Sequence, residues 1–223
     1  MNNIAVIPAR GGSKRLPDKN ILLLGGIPLI AHSIIEAKRN SDIIKKVYVS
    51  TDDARIGAVA QAYGATVIRR PKYLSGDLEP TVSAVKHVLE NIKRSVDQVF
   101  LLQPTNPLRP RNLIADAYQL FCEHDADSLM TVSRNHQKFG RIIDNKFIPF
   151  NYEIGQRSQD LEPLFFENGL LYITKAGLIM DNEIIGSGHY PMVVEHVFGG
   201  VDIDTEEDFA YAEYLFENNR NKI

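Results

Sequence analysis

The chain has 223 residues, 44% of them hydrophobic, and a formal net charge of −3, which suits one α/β domain around one core and argues against a nucleic-acid coat or an anionic-membrane partner. A lone cysteine, Cys122, leaves no intrachain disulfide, and no apolar run approaches the roughly 18 residues of a membrane span. Met1 to Asn3 lead straight into an apolar run without the charged and apolar regions of a signal peptide, so a cytoplasmic protein is expected.

Ile4 to Ile7 is a short β-branched run whose length and flanking Pro8 predict a buried strand. Pro28 with Leu29, Ile30, Ile34 and Ile35 predicts a helix ending near Asn40, and Lys46 to Ser50 a second strand. Asp52 and Asp53 open a helix through Ile56, Val59, Ala60 and Tyr63 that Gly64 caps, and Ala65 to Arg69 reads as a third strand. Pro80 starts a helix with Val82, Val85, Val88, Leu89 and Ile92 mainly on one face, followed by the apolar strand Gln98 to Leu102. Pro107 and Pro110 break the chain before a helix from about Arg111 to His124, where Cys122 has a structural rather than a reactive setting; Ser128 to Val132 is the next strand. This alternation predicts a doubly wound, mostly parallel sheet with helices on both faces and functional loops at the carboxyl ends of the strands. Arg10 to Asn20, Ser50 to Asp52, Arg70 to Asp77 and Gln103 to Arg109 then share one rim. The rhythm fails after Ser133, and Arg134 to Asn168 is expected to be a β-rich insertion. Leu170 to Ile173 and Met192 to Val194 read as strands, and Glu206 to Asn218 as the closing helix of a single domain covering residues 1–223.

Within the first rim segment, Arg10, Lys14, Arg15 and Lys19 bring four cations together around Gly11 and Gly12, which can adopt φ > 0 or admit close approach. Such a loop suits a polyphosphate, the alternative being a solvated basic surface loop. Neither G-x-x-x-x-G-K-[ST] nor G-x-G-x-x-G is present, so neither the P-loop nor the dinucleotide fold is supported. Gln103 to Arg109 presents Gln, Thr, Asn and Arg side chains on a proline-stiffened loop. That loop could hold a hydroxylated acid, with Arg109 on its carboxylate, or could be a structural turn with Arg109 solvated. Asp202 and Asp204 alternate on an expected strand, so their side chains share a face about 7 Å apart. Two such carboxylates could hold Mg²⁺, and Asp204 with Thr205 could also cap the helix that follows. V-D-I-D-T fits the D-x-D-x-T pattern of haloacid-dehalogenase-like phosphatases as well, but too little chain follows it for that fold. The six histidines show no short metal-ligand spacing.

The run R-G-G-S-K-R-L-P-x-K-N from Arg10 to Asn20 resembles the signature loop of the CMP-sialate synthetases, the acylneuraminate cytidylyltransferases. The resemblance extends through L-L-Q-P-T-N-P-L-R (Leu101 to Arg109), Q-R-S-Q-D (Gln156 to Asp160), N-G-x-x-Y-I (Asn168 to Ile173) and V-D-I-D-T-E-x-D (Val201 to Asp208), essentially the whole chain. It implies a Rossmann-like nucleotidyltransferase that moves CMP from CTP to the anomeric hydroxyl of a sialic-acid-like nonulosonate, with Mg²⁺ on Asp202 and Asp204. It implies catalytic roles for Arg10, Lys14 and Lys19, and nucleotide contacts from those three with Ala9, Ser13, Asn20, Arg70 and Ser83. Gln103, Thr105, Lys138, Arg157 and Asn168 fall to the sugar. The resemblance further implies a homodimer built on the segment 134–168, across which Arg157 reaches the sugar. A related loop in the CMP-Kdo synthetases makes an eight-carbon acceptor the alternative, against which Q-R-S-Q-D and the V-D-I-D-T-E ending argue. A catalytically silent nucleotide-sugar binding module is a second alternative. The chain departs from the resemblance at Phe165, Phe166 and Glu167, where family members often carry a basic residue. The acceptor is therefore open among Neu5Ac, KDN, legionaminic and pseudaminic acids.

Overall fold

The computed structural model describes residues 1–222 of the chain. Strand β1 (Ile4–Pro8) lies inside a seven-stranded sheet because both its faces are apolar, Ala5 and Ile7 on one and Ile4 and Val6 on the other. The short pair β2 (Leu23–Leu24) and β3 (Ile27–Pro28) leads to α1 (Leu29–Arg39), β4 (Lys46–Thr51), α2 (Ala54–Ala62), β5 (Thr66–Arg69), α3 (Thr81–Glu90), β6 (Gln98–Leu101), α4 (Leu113–Glu123) and β7 (Ser128–Asn135). A hairpin, β8 (Gly140–Ile143) and β9 (Lys146–Pro149), then precedes β10 (Leu164–Lys175), α5 (Ala176–Met180), β11 (His189–Val193) and α6 (Glu206–Asn218).

The sheet runs β11-β7-β10-β6-β1-β4-β5. Only β10 in it is antiparallel to its neighbours; the remaining pairs are parallel. Helices α1, α2 and α4 cover the face that carries Ala5 and Ile7, while α3 and α5 cover the face of Ile4 and Val6. A smaller apolar cluster joins Leu24 and Leu29 to Phe198, Val201, Ile203, Ala212 and Leu215, docking α6 beside the rim. From β1 the chain winds outward through β4 and β5, then returns to β6 on the other side of β1. That reversal leaves a crevice outside the carboxyl ends of β1 and β6, the position where open α/β sheets bind ligands. Among the described residues no helix is long and apolar enough to cross a membrane.

Several expectations are corrected. The insertion is shorter than 134–168: β7 runs on to Asn135 and β10 begins at Leu164, pairing Leu164 to Glu167 with Asn135 to Val132. What projects is the stretch between these strands, built on the β8–β9 hairpin. Residues 201–204 are not a strand but an irregular segment after the 3-10 turn Val197–Gly200. Neither Gly11 nor Gly12 takes a positive φ; the left-handed residue of that loop is Asp18, at φ 54°. Arg109 is neither solvated nor free for a ligand carboxylate. It is 2% exposed and donates to the carbonyls of Leu170 (2.7 Å) and Gln103 (3.0 Å) and to the Ser33 hydroxyl (3.0 Å). Burial pulls its pKa down to about 10; it holds the rim together from below. Cys122 is an exposed free thiol rather than a packed one.

Candidate active site at the switch point

A cleft of about 510 Å³ opens where the topology predicts, between the loop after β1, the segment from Arg70 to Thr81, and the loop after β6. The β1 loop is clamped at both ends. Ala9 N–H donates to the Ser50 carbonyl (2.9 Å), Gly11 N–H to the Asp52 carboxylate (2.9 Å), and the Asn20 amide to the Arg10 carbonyl (3.0 Å). Gly11 is required for closeness rather than for φ, since a Cβ there would stand 2.8 Å from the Asp53 Cβ. Asp53 is itself fixed as the N-cap of α2.

Cations face the cleft in two states of engagement. Arg10 (2.7 Å) and Lys14 (2.5 Å) converge on Asp77, whose carboxyl is held below the usual range by Lys14 and then Arg10. Arg70 is buried at 7% exposure, and its Nε and Nη2 find no partner among the described residues. Its pKa is lowered by burial, against the attraction of Asp52. Arg70 thus lines the cleft with a mostly buried guanidinium that no carboxylate pairs among the described residues, an arrangement that an anion in the cleft would neutralise.

The second wall comes from the far end of the sequence. Lys19, 8% exposed, donates to the Ile203 carbonyl (2.7 Å) and the Asp204 carboxylate (2.8 Å), and Arg15 also pairs with Asp204. Ile203 N–H donates to the Thr105 carbonyl (2.9 Å), while the Asn106 amide donates to the carbonyls of Val201 (2.6 Å) and Asn168 (3.0 Å). The acidic segment is thus pinned to both rim loops. Capping of α6 falls to Thr205 and Asp208 in a capping box, so Asp204 is not needed for it. Asp202 keeps solvent access but stands in a recess. Partial desolvation there, reinforced by Asp204, holds its carboxyl above the usual range, against the pull of the Thr105 hydroxyl.

Asp202 faces a second cavity of about 360 Å³, lined also by Phe166, Glu167, Asn168 and Tyr172. Gln103 lines both cavities and marks their junction. Among the described residues no group of three or more His, Cys, Asp or Glu could share a metal ion. Asp204, paired with Lys19 and Arg15, lines the cleft, and Asp202, its carboxyl raised by desolvation, lines the adjoining cavity; they are the two carboxylates that could hold Mg²⁺ with phosphate and water completing its shell.

Of the residues expected at the site, Arg10, Ser13, Lys14, Lys19, Asn20, Arg70, Gln103, Thr105 and Asp204 line the cleft, and Asp202 and Asn168 line the adjoining cavity. Ala9 is buried behind the loop, and Ser83 lies a turn into α3, where Thr81 takes the lining position. The side chain of Asn168 is engaged on both its oxygen and its nitrogen: Thr131 Oγ1 (2.6 Å) and Leu170 N–H donate to it, and it donates to Ser133 Oγ. It supports the site rather than offering a free group to a ligand. Lys138, bonded to the Gln156 carbonyl, and Arg157, paired with Asp160 at 2.7 Å, lie exposed on the inserted stretch and reach neither cavity of their own chain. Sequence reasoning did not find Asp77, Glu167 or Tyr172. Asp77 closed a predicted rim segment, but an acid facing a basic loop carries no signal until the fold brings them together.

The switch-point crevice, its basic β1 loop and the acidic segment define an α/β nucleotidyltransferase. Its residues 4–220 match the model of the family described as Cytidylyltransferase, and the chain belongs to that family. It is 36% identical over its full length to a CMP-N,N'-diacetyllegionaminic acid synthase of Legionella pneumophila, the match covering 100% of both chains. It is 31% identical to an N-acylneuraminate cytidylyltransferase of Streptococcus agalactiae serotype V, in which it covers 57% of the longer protein. In fold it is similar to a CMP:2-keto-3-deoxy-manno-octonic acid synthetase solved in complex with CTP, at a TM-score of 0.73 and 17% identity over 98% of this chain and 99% of that one.

Proposed function

We propose that the protein transfers CMP from CTP to the anomeric hydroxyl of a nonulosonate, releasing pyrophosphate. The observation that carries the reading is the unmatched guanidinium of Arg70 facing the loop cations across the cleft, next to a second cavity of a size for a sugar acid. Both full-length similarity to a legionaminic-type synthase and the match to an N-acylneuraminate cytidylyltransferase favour a nine-carbon acceptor.

The triphosphate lies in the cleft with Arg10, Lys14 and Arg70 as charge partners, Ser13 and Asn20 adding hydrogen bonds, and the acceptor enters from the Gln103 side. The acceptor hydroxyl oxygen attacks the α-phosphorus, the bond from that phosphorus to the bridging oxygen of the β-phosphate breaks, and the hydroxyl proton passes to water. The loop cations neutralise the charge that grows on the departing pyrophosphate. Mg²⁺ on Asp202 and Asp204 would supply Lewis-acid charge at the α-phosphate. With CTP as donor, the reaction belongs in the cytoplasm.

A second copy of the chain is part of this reading. The projecting hairpin leaves Ile142 78%, Phe147 51% and Phe150 65% exposed, an apolar surface of the kind that marks an interface. A partner seated there would cover it, and Lys138 and Arg157, which reach neither cavity of their own chain, would reach an acceptor cavity across the contact.

The test is pyrophosphate release with CTP and Mg²⁺ against Neu5Ac, KDN, legionaminic, pseudaminic and Kdo acids, with light scattering for the oligomer. Turnover of a nine-carbon acid by a dimer is expected. Turnover of Kdo alone would shift the acceptor class, and CTP binding with silence across the panel would leave a binding module.

A further inference from the structure

Beside the triphosphate cleft, the second cavity has an unusual balance of polar groups. It holds two carboxylates, Glu167 and Asp202, and among the described residues of the chain no cation lines it. Its two asparagines are spent inside the protein: Asn106 donates to two carbonyls and accepts from Thr105 Oγ1 at 3.1 Å, and Asn168 is engaged with Thr131, Ser133 and Leu170. The Tyr172 hydroxyl already donates to Glu167 Oε2 at 3.0 Å. Spare side-chain capacity in the cavity is therefore mainly that of an acceptor of hydrogen bonds, with the Gln103 amide at the mouth.

Glu167 stands where it does because of the backbone. The pairing of β10 with β7 shifts register between Glu167 and Tyr172, a bulge that re-aims the residues at its edges. Gly169, at φ 71°, permits the bulge; a Cβ there would lie 2.7 Å from the Asn106 amide oxygen. The two sides of the bulge are then stitched by the Tyr172–Glu167 bond.

We propose that Glu167 is a specificity-determining residue that reads hydrogen-bond donors, hydroxyl or acylamido N–H, on the acceptor. Its charge also turns the acceptor's own carboxylate away from this wall and toward the cationic cleft. The inference rests on the acceptor reading above and adds to it the orientation of the sugar and the class of group that is recognised.

Glu167→Gln keeps the size of the side chain and its link to Tyr172 while removing the charge. It is made together with Glu167→Lys and assayed with CTP and the acceptor that wild type uses best. Loss of a charged acceptor of hydrogen bonds is expected to raise the acceptor KM on the order of tenfold to a hundredfold, with the CTP KM unchanged. Glu167→Lys should lose more and should regain part of the loss with an acceptor whose donor group has been replaced by a carbonyl or carboxylate. The thermal midpoint of Glu167→Gln, which keeps the link to Tyr172, should stay near wild type, because Glu167 is exposed. An unchanged acceptor KM in Glu167→Gln, or a matched rise for CTP, overturns the proposal while leaving the cytidylyltransferase reading intact. A wild type that turns over no nonulosonate overturns the parent reading, and this inference with it.

Discussion

Arg70→Met separates what the cleft needs from what the fold needs. The guanidinium is buried at 7% exposure with Nε and Nη2 unmatched. Each unsatisfied buried donor costs about 1–3 kcal/mol, so the pair costs about 2 kcal/mol in total at the low end. Methionine fills a similar volume and leaves no donor behind. A kcal/mol moves the melting temperature of a chain this long by about 2–4 °C, so the variant without ligand should melt about 4–8 °C higher than wild type. With CTP the sign reverses. One hydrogen bond to a charged group from the accessible Nη1, at about 1.5–3 kcal/mol, puts the loss of affinity at about 10- to 10²-fold. Differential scanning calorimetry without nucleotide and titration calorimetry with CTP measure the two halves. A variant that melts lower than wild type and binds CTP equally well would show that Arg70 is part of the scaffold, and the anion assignment of the cleft would fall with it.

Asp77→Asn releases the loop cations from their internal counter-charge, so pyrophosphate and CTP should bind several-fold tighter at low salt, with the gap narrowing as salt is raised. Weaker binding would mean that Asp77 sets the geometry of Arg10 and Lys14 instead of competing for them. Asp202→Asn should cut turnover on the order of 10²-fold or more at limiting Mg²⁺, and a rate near wild type across a Mg²⁺ titration would remove the metal from that carboxylate. His32 is buried, shares a hydrogen bond with the Leu24 carbonyl at 3.0 Å, and has its pKa lowered by burial. A depressed imidazole favours the neutral ring in the fold, so the stability it contributes is present above the ordinary value and is lost as pH falls below about 6.5. Wild type should lose melting temperature faster than His32→Gln between pH 7 and pH 5, and parallel curves would contradict the assignment.

The helices and the central strands were legible because they are built on period. Glu206 to Asn218 came out at its predicted bounds, and β1, β4 and β6 within a residue or two of theirs. The start of β10 was hidden because Phe165, Phe166 and Glu167 extend the strand beyond the core with both faces exposed, and the bulge after them breaks the alternation that marks a strand. The β1 loop was readable from its concentration of cations. What that reading could not supply was the state of each cation, since Arg70 unmatched, Lys19 locked to Asp204 and Arg10 held by Asp77 differ only in partners far away in the chain. Arg109 shows the same limit from the other side. An arginine just before a proline in a loop looks solvated until three backbone and hydroxyl oxygens are found around it.

Lys19 reaches across 184 positions of sequence to the Ile203 carbonyl, and that span has a consequence in time as well as in space. During synthesis the β1 loop and the first parallel strands can form early, but one wall of the cleft is still unmade. Until residues 201–204 arrive, Lys19 has neither its carbonyl nor its carboxylate, and burying its ammonium is unfavourable. A nascent chain that already holds the sheet is therefore kept from holding the completed cleft. Long-range closure of this kind is slow relative to local structure, so recovery of activity should trail recovery of helical signal when the denatured protein refolds.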